Sequence, residues 1–78
     1  MNKKLANSTQ HFYLACLVKL EEKEKAGWGG WDKTYNKELF EEDVTIRAKK
    51  PLTQSNLVDI SNYCNFLWNL LEVNKGGN

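Results

Sequence analysis

Residues 57–71 read "LVDISNYCNFLWNLL". Leu57, Ile60, Ser61, Cys64, Leu67, Trp68 and Leu71 recur three and four residues apart without a break, which is the spacing of one helix face. No glycine or proline interrupts the run, and Lys50-Pro51 ahead of it marks a boundary, because the residue before proline is pushed away from α geometry. Thr53 or Ser55 is a competent cap. This stretch predicts a core helix, or one that pairs with a symmetry mate, and it sets the class of the fold.

Working back along the chain, "KELFEEDVTIRAKK" predicts a second helix from about Asn36 to Pro51, with Leu39, Phe40 and Val44 inward and Ile46 less clearly so. Asp32, Thr34 and Asn36 are alternative caps. A first helix is expected from about Ser8 to Ala26. Asn7 and Gln10 sit at capping-box spacing, and Phe12, Tyr13, Leu14, Cys16, Leu17 and Leu20 form its apolar stripe. Gly27 stands where a left-handed cap residue is needed. In the following "GWGGWD" (27–32) the glycines turn the chain, while Trp28 and Trp31 cover the end of a small core. The expectation is an all-α, three-helix domain over residues 8–73, with flexible tails at 1–7 and 74–78, completed by homodimerisation.

Size supports the last point. A chain of 78 residues is one domain, and a core of this size supplies no more than about 3–5 kcal/mol. The formal net charge of +1 gives no field that would draw the chain to DNA or an acidic membrane. Arg47, Lys49 and Lys50 read as partners of a helix C-terminus rather than a nucleic-acid patch. No stretch is apolar for the length of a membrane span, and the N-terminus lacks a signal-peptide core. A soluble, cytoplasmic protein is therefore expected. Cys16 and Cys64 read as buried free thiols rather than a disulfide. With His11 alone beside them, they offer no zinc set or nucleophilic triad.

The residues that might carry chemistry are acidic. Glu38, Glu41 and Glu42 share one face of the second helix. Asn56, Asp59 and Asn62 form a polar line on the third, where an ionised Asp59 needs a partner or a metal. A structural bond to Lys or Trp of a neighbouring helix is one explanation; an oxygen-rich Mg²⁺ or nucleotide site is the other.

The order "KAGWGGWD", "KELFEED", "LVDISNYCNFLW" is similar to the all-α nucleoside-triphosphate pyrophosphohydrolases of the MazG-like type, in the short forms common in phages. The resemblance spans roughly residues 12 to 71. It implies a Mg²⁺ site, with Glu38, Glu41, Glu42 and Asp59 as candidate metal ligands, and release of pyrophosphate from a nucleotide. Trp28 and Trp31 are candidates for stacking on its base, with Asn56 and Asn62 beside it. That family carries E-E-x-x-E and E-x-x-D. Here the glutamates only approximate the first, and "NLVD" places Asn56 where the second has Glu. The alternative reading is a non-catalytic helical interaction protein of phage or mobile-element type that docks on a host protein through exposed Trp28, Trp31, Phe66 or Trp68.

Overall fold

The computed structural model describes residues 1–75, and side-chain surroundings as far as Glu72. Three helices follow one another: α1 (Lys3–Lys25), α2 (Lys37–Ala48) and α3 (Gln54–Lys75), with a single 3₁₀ turn at Thr34–Asn36 before α2. No strand occurs among the described residues. The all-α, three-helix class is therefore as expected.

Helix α1 starts five residues earlier than the sequence suggests. Asn2, not Asn7, is its cap: the Asn2 Oδ1 accepts from the Lys4 and Leu5 amides at 2.7 and 3.2 Å. Residues 3–7 are thus helical rather than a tail. The other terminus of the expected tail is helical as far as Lys75, and 76–78 lie outside the described residues. At its C-terminus α1 closes as a Schellman motif. The Trp28 amide donates to the Lys23 carbonyl and the Gly27 amide to that of Glu24, with Gly27 at φ 85°. Pro51 follows the end of α2, and Thr53 Oγ1 accepts from the Asn56 amide to open α3.

The core is aromatic and small. Phe40 of α2 and Phe66 and Leu70 of α3 are its buried centre, with Leu20, Trp28, Tyr63 and Leu67 packed around them. Ring centroids of Trp28 and Phe66 lie 5.3 Å apart, and those of Phe40 and Phe66 5.5 Å. Such pairs add about 0.5–1.5 kcal/mol each beyond simple burial. Trp28 is therefore core cover, held there by the turn that Gly27 begins.

Several inward assignments are overturned. Helix α3 buries Asn56, Val58, Asn62, Phe66 and Leu70. Most of the stripe that identified it faces outward, with Trp68 65% and Leu71 55% exposed and Leu57 and Cys64 exposed as well, while Ile60 and Ser61 are half-buried and Leu67 packs on the core. The reason is that α3 is apolar on two sides, and the side that meets Trp28 and Phe40 is the one with Phe66. Leu39 and Ile46 of α2 are exposed, whereas Phe40 is buried. Helix α1 buries no residue fully; Cys16 and Leu20 are half-buried, and Phe12, Tyr13, Leu14 and Leu17 are exposed. Both cysteines are free, and Cys64 is not buried, because it belongs to the outward stripe.

Candidate functional site

The polar line on α3 is where the chain spends its hydrogen bonds. Asn56 Nδ2 donates to the Arg47 carbonyl at 2.8 Å, which satisfies a backbone acceptor at the end of α2. Arg47 Nη1 donates to Asp59 Oδ2 at 3.1 Å, an ion pair largely shielded on the Asp side. The same guanidinium lies over the Tyr63 ring, 5.4 Å from its centroid. Asn62 Nδ2 donates to the Cys16 carbonyl at 3.3 Å and ties α3 to the middle of α1. Buried amides and carboxylates need such partners, and here the partners are neighbouring helices. One atom is left over: Asp59 Oδ1 is buried without a hydrogen-bond partner.

The three glutamates lie elsewhere. Glu38, Glu41 and Glu42 line an open depression on α2 with Thr45 and Ile46. Glu41 pairs with Lys37 one turn back at 3.2 Å, on the surface. Asp59 is not part of that depression. Among the described residues, no three His, Cys, Asp or Glu side chains come together as a metal-binding group. Mg²⁺ requires several oxygens at close octahedral spacing. The four carboxylates, as placed, do not fit it: one is committed to Arg47, and the others are spread over a solvated helix face.

Trp28 and Trp31 do share a cavity, of about 340 Å³, with Leu17 and Leu20 of α1 and Phe66 of α3. Trp31 is 43% exposed, and its ring centroid lies 6.2 Å from that of Phe66. Lys23 Nζ stands 5.0 Å from the Trp28 ring centroid. Glu21 and Glu24 also line the cavity, and neither has an ion-pair partner among the described residues. Two carboxylates repel a triphosphate unless a cation intervenes. Asn56 and Asn62, the other nucleotide candidates, are engaged between helices and line no part of this cavity.

Arg47, expected only as a partner of a helix C-terminus, has a larger part. It joins Asp59, Asn56 and Tyr63 in one network, yet in the sequence it is one of several basic residues near a helix end. Its partner lies twelve residues on, in another helix, a distance at which no local pattern pairs charges. No family model, curated protein or solved structure matches this chain. No helix among the described residues is long and apolar enough to cross a membrane.

Proposed function

We propose that this chain is a non-catalytic helical association protein, whose apolar helix faces are completed by a protein partner. One observation carries the reading. Helix α1, 23 residues long, buries no side chain fully, while Phe12, Tyr13, Leu14, Leu17 and Val18 on it are 37–63% exposed. Scattered apolar residues on a surface are ordinary, but five large ones on a single helix that buries nothing fully favour an interaction surface. The commitment of Asp59 to Arg47 supports the same reading, since it removes the best-placed acid from any ligand set.

A second reading, a nucleotide-binding or pyrophosphate-releasing protein of the MazG-like type, draws on the sequence resemblance and on the unpartnered Asp59 Oδ1. It requires Asp59 to leave Arg47 and join the glutamates of α2.

Pyrophosphate release from a panel of nucleoside triphosphates, with Mg²⁺ or Mn²⁺, separates the two. The association reading expects no release and no shift in Tm on adding nucleotide and metal. Release that disappears in Asp59→Asn and in the Glu38→Ala/Glu42→Ala variant would overturn it.

A further inference from the structure

We infer that the partner of α3 is a second copy of this chain, paired antiparallel along the outward stripe with Cys64 at the two-fold axis. This rests on the association reading above and names the occupant of one face.

The stripe is palindromic about Cys64. Leu57 precedes it by seven residues and Leu71 follows by seven; Ile60 and Trp68 are each four away; Ser61 and Leu67 are each three away. An isologous two-fold contact requires this self-complementarity, because residue i must meet j while j meets i. Laid antiparallel about Cys64, Leu57 meets the mate's Leu71, and Ile60 meets the mate's Trp68. The half-buried Ser61 and Leu67 fall opposite each other at the margin of the contact, where Leu67 also packs on its own core, and Cys64 faces its own copy. The alternating spacing of three and four is also what keeps an apolar seam on one side of two packed helices.

Three further observations favour a second copy over a different protein. The stripe carries no charged residue, so pairing it with itself sets no like charges against each other. The acid of this stretch, Asp59, is turned to the core side and neutralised by Arg47. Helix α3 has no acidic residue in its first turn. An antiparallel mate supplies one, since Glu72 follows Leu71 and would lie level with Asn56, where a negative charge suits the helix dipole. Trp68, at 65% exposure the most open tryptophan, becomes the central aromatic anchor on each side.

The test uses the full chain. Light scattering is expected to show a mass rising from one chain to two between micromolar and millimolar concentration. Trp68→Glu, at a position outside the core, should keep the helical circular dichroism and hold the mass at one chain. Direction is read by cross-linking with diamide after Cys16→Ser and Cys64→Ser. Leu57→Cys mixed with Leu71→Cys is expected to form the linked dimer, and Leu57→Cys alone is not. A single-chain mass throughout, or Leu57→Cys linking to itself, overturns the proposal. A dimer indifferent to Trp68→Glu also overturns it and leaves the association reading standing, with α1 as its surface.

Discussion

Arg47 and Asp59, twelve residues apart in the chain, meet at 3.1 Å between Nη1 and Oδ2 and fasten the end of α2 to the first half of α3. The pair is partly screened, with 31% and 16% of the two side chains exposed, so its net value lies between surface and buried bridges. Arg47→Ala is expected to lower stability by about 2 kcal/mol, since it removes the ion pair and the cover over Tyr63. Asp59→Asn should cost about 1 kcal/mol, and a double-mutant cycle by urea denaturation should give a coupling of about 1 kcal/mol. Additive single effects would show that the pair contributes nothing.

Gly30 sits at φ 82°, and a Cβ there would stand 2.9 Å from Asn36 Nδ2, the group that donates to the Gly30 carbonyl at 2.8 Å. Gly30→Ala should therefore cost about 1–2 kcal/mol from backbone strain, plus the disturbed bond. Gly29→Ala meets nothing within 4 Å and has no positive φ, so it should fall within about 0.5 kcal/mol of the parent. Thermal melts of the two variants check the contrast.

Neighbouring positions in α2 should behave in opposite ways. Phe40 is 3% exposed and touches the rings of Trp28, Tyr63 and Phe66. Phe40→Ala should cost about 3–5 kcal/mol, close to all the stability a core of this size provides, and should abolish a cooperative melt. Leu39 is 52% exposed, and Leu39→Ala should change stability by about 0.5 kcal/mol or less.

The two asparagines at the start of α1 allow the cap to be located directly. Asn2→Ala should lower helicity and cost about 1 kcal/mol, because it orphans two amides. Asn7→Ala, inside the helix, should be neutral or slightly stabilising. Circular dichroism at 222 nm reads both; the reverse order of effects would return the start of α1 to Ser8.

The sequence made the breaks legible because breaks are local. Gly27 and Pro51 act through their own backbone chemistry; Gly27 follows directly on the α1 cap Ala26, whereas α2 stops at Ala48, three residues short of the expected end at Pro51. The inner face of α3 was not legible. Leu57, Cys64, Trp68 and Leu71 recur at helical spacing, but so do Val58, Phe66 and Leu70, and only the arrival of Trp28 and Phe40 from elsewhere selects the second set. Asp59 was recognisable as needing a partner, and a structural bond to a neighbouring helix is what the structure has, but the bond goes to Arg47 and not to the expected Lys or Trp. That the partner is Arg47 depends on α2 and α3 packing side by side. The acids of α2 kept their shared face, yet nothing local dictates whether that face turns toward α3 or toward water.

The Schellman turn has a consequence for which part of the molecule opens first. It is a loop residue, Trp28, that inserts between α2 and α3, while α1 itself rests on α3 through half-buried side chains and the Asn62–Cys16 bond. The turn can keep its grip while the helix ahead of it lifts away. Amide hydrogen exchange should accordingly run in two tiers, with α1 protected least and the α2–α3 pair exchanging only on global unfolding. On that expectation the two-helix clasp pinned by one tryptophan is the last part of the molecule to open, and its longest helix the first.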